Sequence, residues 1–196
     1  MEKIKQNPFV KKVGFNRIVL CCVLLLMYGL FCALTGGSFA GMNRIMSALN
    51  YAYFLGFLSL GVTFVIATGQ IDFSIGPVMF CCALISGYTL TTHGISMPVA
   101  ILISILVGFA FGLFNGYLVA YWSVPSFITS MASMNIAKGL ASVYTKTQSV
   151  SWPQAADPDN GWFRNLISYK GFPVGLVIFL AAAVICGIIL YNTKPG

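Results

Sequence analysis

A chain of 196 residues that is 58% hydrophobic and 8% charged is far from a water-soluble domain, in which about a quarter of residues are charged. Its net charge of +7 does not describe a nucleic-acid surface, because no basic surface interleaved with aromatic residues follows the basic N-terminus. Apolar runs of bilayer-spanning length place the chain in a membrane instead.

In chain order, Lys3, Lys5, Lys11, Lys12 and Arg17 precede the first apolar run, 18–34. This positive-inside bias predicts a cytoplasmic N-terminal segment over 1–17. A secretory signal peptide is the rival reading of the first 35 residues. The basic region is long for one, no small-x-small cleavage site follows, and further apolar runs come later. A bilayer core takes about 20 apolar residues per helix. The pattern therefore predicts an all-α, polytopic integral membrane bundle with helices near 18–35, 45–68, 77–92, 98–121, 126–145 and 172–191. The transmembrane domain covers 18–191 and a cytoplasmic tail covers 192–196. Connections near 36–44, 91–94 and 146–171 are then expected outside, and those at 69–77 and 122–125 inside. Arg44, Lys146, Arg164 and Lys170 fall in the outer connections, so this orientation rests on the N-terminal cluster.

Between the second and third helices the apolar pattern is interrupted by Thr68-Gly69-Gln70-Ile71-Asp72-Phe73-Ser74-Ile75-Gly76-Pro77. A carboxylate at membrane depth costs several kcal/mol unless solvated or partnered, so Asp72 is a functional candidate by default. Gly69, Gly76 and Pro77 cannot extend a good helix, which predicts a broken or turned segment at 69–77. Irregular backbone in a membrane survives only where protein or a watery cavity satisfies it. Three roles are open for Asp72. It can brace the turn through backbone N–H groups and the Ser74 hydroxyl, contact a substrate directly, or pair with Lys138.

The 91–94 connection holds the single histidine, His93. In the fourth helix Gly108, Gly112 and Gly116 recur four apart, a ridge that predicts close helix packing, as does Gly56 with Ala52, Ser59 and Thr63 in the second. Asn115 lies beside the glycine ridge and is open to two readings, an interhelical hydrogen bond or a substrate contact. The fifth helix aligns Ser126, Ser130, Ser133, Ala137 and Ala141. It also carries Lys138, about 18 Å along the helix from Ser126 at 1.5 Å per residue, which is deep for a snorkelling lysine. The polar 146–171 connection has turn signals and an aromatic group suited to an interface, and reads as a solvated connector or a docking surface.

The six cysteines all lie within apolar runs, where they act as small hydrophobes, and no metal-ligand spacing occurs. Nor is there a phosphate loop, a nucleophile elbow, a zinc-protease motif or a paired intramembrane carboxylate. The chain is therefore not read as an enzyme. Asp72, Ser74, Asn115, Ser126 and Lys138 are the candidates for a substrate pathway.

Three stretches carry a family resemblance. Gly61 to Gly76, GVTFVIATGQIDFSIG, resembles the segment written GMTFVILTGGIDLSVG in permease subunits of bacterial ribose-, xylose- and galactose-type ABC importers. Asn115 to Ala120 with Val124 to Met131 is similar to NGLLVA…IPPFIATLG, and Ile136 to Ala141 to IARGLA. Gln70, Ser126 and Lys138 depart from the usual glycine, proline and arginine. The resemblance covers roughly residues 45–145. It implies a permease subunit of the bacterial inner membrane that carries a monosaccharide, and a chain that is the N-terminal portion of a longer domain. It further implies a second permease subunit, cytoplasmic ATPase subunits that bind the ATP, and an extracytoplasmic sugar-binding protein, with no cofactor held by this chain. An ion-coupled secondary transporter using Asp72, and a non-transporting membrane scaffold, are the alternatives.

Overall fold

The computed structural model describes residues 15–168 and 172–193. Lys3, Lys5, Lys11, Lys12, Lys170 and residues 194–196, which figured in the expected topology, lie outside the described residues. The chain divides into two units, Met1–Ala48 and Leu49–Gly196.

The first unit holds helix α1, Phe15–Leu34. Its helix stops where Gly36 and Gly37 take left-handed backbone, with φ of 58° and 83°, a conformation glycine adopts without penalty. The Thr35 hydroxyl donates to the Phe31 carbonyl at 2.7 Å, which satisfies one of the carbonyls left open at the helix end. A 3-10 turn, Ser38–Ala40, then brings the Phe39 ring back to within 5.6 Å of Phe31 and 5.7 Å of Tyr28.

Helix α2, Met42–Ala67, runs on into the second unit. It is followed by α3, Ile75–His93, α4, Met97–Trp122, α5, Ser126–Tyr144, a 3-10 segment, Gly161–Leu166, and α6, Val174–Asn192. The six helices fall where the apolar pattern puts them. By length and composition, α2, α3, α4 and α6 suffice to cross a membrane, and α1 contributes a shorter apolar stretch, Val19–Leu34. Helix α5 is not among these spans, a difference from the six crossings expected. The chain break is also narrower than 69–77, since α3 begins at Ile75. Gly76 and Pro77 thus occupy the first helical turn, where the missing N–H of proline removes no intrahelical bond.

The core of the second unit lies among α3, α4 and α5. Cys81, Ile85, Phe111, Ala137 and Ala141 form its buried centre, with Val78, Leu84, Ile103 and Val107 packed around them. On α5 the residues Ser130, Ser133, Ala137 and Ala141 are all buried. Such small side chains let helix backbones approach closely. A polar contact reinforces the α3–α4 pair, with the hydroxyls of Ser86 and Ser104 2.9 Å apart. Helices α2 and α6 meet through glycines. A Cβ on Gly56 would stand 2.6 Å from the Phe179 ring, and one on Gly175 would stand 2.6 Å from the ring of Tyr53.

The connection after α5 is folded down and not simply solvated. Trp152 and Phe163 pack on the buried cluster of Leu90, Met97 and Ala100. Gly87 leaves room for this, since a Cβ there would meet Val150 at 2.7 Å and Trp152 at 2.9 Å. The Asn160 carboxamide oxygen accepts from the Met97 N–H at 3.1 Å, satisfying a donor at the start of α4. Asp157 in turn accepts from the backbone N–H groups of Asp159 and Asn160, at 3.0 and 2.9 Å.

Candidate functional site

Helix α2 ends in a local motif that demands glycine. The Gly69 N–H donates to Ile66 at 2.9 Å and the Gln70 N–H to Val65 at 3.2 Å. This is the Schellman arrangement, with Gly69 in the left-handed region at φ 74°. The chain then leaves the helix, and the Ile71 N–H donates to the Ser126 hydroxyl at 3.2 Å. That bond fastens the break to the first residue of α5.

Asp72 follows, half-buried. Its Oδ1 accepts from both the backbone N–H and the hydroxyl of Ser74, each at 2.6 Å. Ser74 is only 2% exposed and stands at the start of α3. Its hydroxyl accepts from the Asn115 amide nitrogen at 3.1 Å. The Asn115 oxygen accepts in turn from the hydroxyl of Ser133 on α5, which is fully buried. Four side chains thus form a directed relay, Ser133 to Asn115 to Ser74 to Asp72, with every donor oriented toward the carboxylate. In a low-dielectric interior such a chain is strong when complete and costly when broken. Among the described residues no buried side-chain polar atom lacks a partner.

The relay borders a cavity of about 570 Å³. Phe64, Val65 and Thr68 at the end of α2 form one wall, Gln70 and Asp72 of the break another, and Asn115 of α4 with Ser126 and Ser130 of α5 the third. Gly112 and Gly116 line it too. Within this chain the three glycines of the ridge have different surroundings. Only Gly108 has a neighbour, Cys82 Sγ, at 3.6 Å from the position of a Cβ. At Gly112 and Gly116 nothing lies within 4 Å. The missing side chains of Gly112 and Gly116 therefore leave the cavity wider.

Of the five pathway candidates, Asp72, Ser74, Asn115 and Ser126 are brought together at this place. Lys138 is not. It lies exposed on α5, outside the relay, and the hydrogen-bond partner of Asp72 is Ser74. Ser130, Ser133 and Gln70 escaped the sequence reading. The two serines were legible only as part of a stripe of small residues, and Gln70 only as a departure from a motif. The recurrence of hydroxyls at Ser126, Ser130 and Ser133, on one face of a helix, was the available signal.

Comparison with known proteins gives a consistent result. The family model described as "Branched-chain amino acid transport system / permease component" matches residues 44–196. The xylose transport system permease protein XylH of Haemophilus influenzae is 30% identical over 145 residues, 72% of this chain and 38% of the relative. The fructose import permease protein FruF of Bifidobacterium longum is 28% identical over 208 residues, 99% of this chain and 57% of the relative. The galactofuranose transporter permease protein YtfT of Escherichia coli is 34% identical over 144 residues, 72% of this chain and 38% of the relative. The chain therefore spans between 38% and 57% of the length of these relatives. No solved structure matches it.

Proposed function

The chain belongs to the branched-chain amino acid transport system / permease component family, and from that premise we propose that it is a membrane-spanning permease subunit of an ABC importer, forming part of the path of a monosaccharide. The observation that carries the choice of solute is the lining of the 570 Å³ cavity. Its volume lies within the roughly 300–1,000 Å³ typical of small-molecule sites. Gln70, Asp72, Asn115, Ser126 and Ser130 offer amide, carboxylate and hydroxyl groups, which suit the alternating donors and acceptors of sugar hydroxyls. A free amino acid would bring both an ammonium and a carboxylate. The lining has one carboxylate, Asp72, and no basic residue to answer the second charge. The relatives named for xylose, fructose and galactofuranose support the same choice.

In this reading the chain sits in the bacterial inner membrane with its N-terminus in the cytoplasm. It acts with a second permease subunit, with cytoplasmic ATPase subunits that hold the ATP, and with an extracytoplasmic sugar-binding protein. It carries no cofactor and no catalytic residue of its own, because ATP hydrolysis belongs to the partner. The test is uptake in cells from which this gene alone is deleted, with labelled xylose, ribose, galactose, fructose and leucine offered in turn. Loss of uptake of one sugar, restored by the gene, is the expected result. Loss of leucine uptake with all sugars unaffected would overturn the choice of solute. Sugar uptake that survives ATP depletion and collapses with an uncoupler would favour an ion-coupled carrier.

A further inference from the structure

The cavity beside the break is rich in polar groups, but most of them are already spent. The Thr68 hydroxyl donates to the Val65 carbonyl at 2.7 Å, and that of Ser130 to the Phe127 carbonyl at 3.1 Å. Asn115 gives an N–H to Ser74 and accepts from Ser133 with its oxygen. The Asp72 carboxylate offers acceptors only, and its Oδ1 already holds Ser74 twice. Two lining side chains remain whose donors have no partner among the described residues, Gln70 and Ser126.

The local structure explains why these two are left over. A serine or threonine within a helix commonly donates to the carbonyl three or four residues back, as Ser59, Thr63 and Ser130 do here. Ser126 is the first residue of α5 and follows Pro125, so no helical turn precedes it to offer that carbonyl. Its oxygen instead accepts from the Ile71 N–H at 3.2 Å, across 55 residues of sequence. Accepting that bond turns the hydroxyl proton elsewhere and polarises it, which strengthens the next bond it makes. Gln70 is left over because the chain has already quit α2. Its backbone N–H closes the helix end on Val65 at 3.2 Å, while its carboxamide stands exposed at the cavity wall. Both donors thus sit at one corner, where the break meets α5.

That corner is also where the sequence leaves the pattern it resembles. Glycine at 70 and proline at 126 would bring no side-chain donor, whereas this chain has a carboxamide and a hydroxyl. We propose that Gln70 and Ser126 are the specificity-determining residues of the cavity. Ser126 gives its proton, and Gln70 an amide N–H, to hydroxyl oxygens along one edge of the sugar ring. A site built to hydrogen-bond a hydroxyl rejects the analogue that lacks it, because its own donor is then left unpaired. This rests on the transport reading above and adds to it which side chains choose among sugars that differ at a single hydroxyl.

Monodeoxy sugars test the assignment on the complete importer in membrane vesicles. The reference is whichever of xylose, ribose, galactose and fructose the deletion test identifies. Uptake of this sugar and of each monodeoxy analogue is measured as kcat/KM for the parent, Gln70→Ala and Ser126→Ala, at matched amounts of assembled protein. Discrimination made by the sugar-binding protein is common to all three and cancels in the ratio of variant to parent. Ser126→Ala should lower kcat/KM for the sugar by about two- to tenfold, the range of one hydrogen bond between neutral groups. The analogue lacking the hydroxyl that Ser126 meets should escape this loss, and the other analogues should share it. Gln70→Ala should show the same pattern with a different analogue escaping. Ser126→Thr keeps the hydroxyl and should keep the parent's values. A merely structural role would scale the sugar and all its analogues alike in both variants, and that result would overturn the proposal with the transport reading still standing. Gln70 is exposed and lies outside the helices, so Gln70→Ala carries the test if Ser126→Ala fails to accumulate. A parent importer that takes up none of these sugars would defeat the transport reading and this assignment together.

Discussion

Asn115 and Ser74 belong to different helices and share one hydrogen bond, the amide nitrogen of Asn115 donating to the Ser74 hydroxyl at 3.1 Å. Because the Asn115 oxygen also accepts from Ser133, a single carboxamide connects the start of α3, the wall of α4 and the buried face of α5. No other type of side chain of this length offers a donor and an acceptor from one planar group. The cavity is therefore bounded by a crosslink whose loss would free the break between α2 and α3.

Replacing Asn115 by Ala should show this as instability. Ser74 would lose its donor and Ser133 its acceptor. Interhelical hydrogen bonds in membranes average only about 0.6 kcal/mol each, but a buried polar group left without a partner costs about 1–3 kcal/mol. A loss in that range is expected for Asn115→Ala in thermal unfolding of the purified protein in detergent. Asn115→Ser, which can still donate to one neighbour, should lose less. Equal stability of parent and Asn115→Ala would show that the relay is not energetically coupled.

How much of this was legible in the sequence follows from the kind of force involved. Helix positions came from apolar runs, and the break came from Gly69, Gly76 and Pro77, because burial and backbone sterics are local in sequence. The convergence of Asp72, Ser74, Asn115 and Ser126 was only suspected, since polar residues in an apolar chain must find partners but do not say which. Ser133 joins the relay across 18 residues of sequence from Asn115, and no local signal encodes that. The glycine ridge is a related case. Spacing shows that Gly112 and Gly116 share a face, but the face of a helix does not reveal whether another helix or a void stands opposite. Pairing of Lys138 with Asp72 was one of three roles left open for the carboxylate, and the rotation of α5 turns Lys138 away from the buried serines.

Asp72 offers a second prediction. Its Oδ1 holds both the N–H and the hydroxyl of Ser74, a role that needs an acceptor but not a charge. Asp72→Asn keeps one carbonyl oxygen and should fold and assemble with a small loss of stability, under about 1 kcal/mol. Asp72→Ala leaves both donors to find other partners and should lose about 1–3 kcal/mol. Sugar uptake then decides between bracing and direct contact. Abolition of uptake in a well-assembled Asp72→Asn protein would assign the charge itself to the transport cycle.

The 146–168 connection should behave as a folded cap. Asn160 supplies the acceptor for the Met97 N–H at the start of α4, and helix N-terminal acceptors of this kind contribute about 1 kcal/mol. Asn160→Ala should lower the unfolding midpoint, and Trp152→Ala should lower it further by stripping the cover from Leu90 and Met97. Proteolysis gives an independent reading. Cleavage within 146–168 should be slow in the parent and fast in Trp152→Ala, and equal rates would mean that the connection is not docked.

The glycines supply the sharpest contrast, because they share one residue type and differ only in what stands opposite. At Gly56 a new Cβ would lie 2.6 Å from Phe179, and at Gly175 2.6 Å from Tyr53, while at Gly112 and Gly116 it would meet nothing within 4 Å. Overpacking of a tight contact costs about 1–3 kcal/mol. Gly56→Ala and Gly175→Ala should therefore destabilise α2 against α6 by that order. Gly112→Ala escapes the clash and gains helix propensity, an advantage of roughly 0.5–1 kcal/mol in a helix interior. It should leave the unfolding midpoint unchanged or raised. Gly112→Leu tests function and not packing, since its side chain would project into the 570 Å³ cavity beside Asn115. The expected phenotype is a protein that accumulates and assembles normally but takes up sugar poorly. If Gly112→Leu instead failed to accumulate while Gly56→Ala was tolerated, the ridge would be a helix seam after all and the cavity would be filled in the assembled transporter.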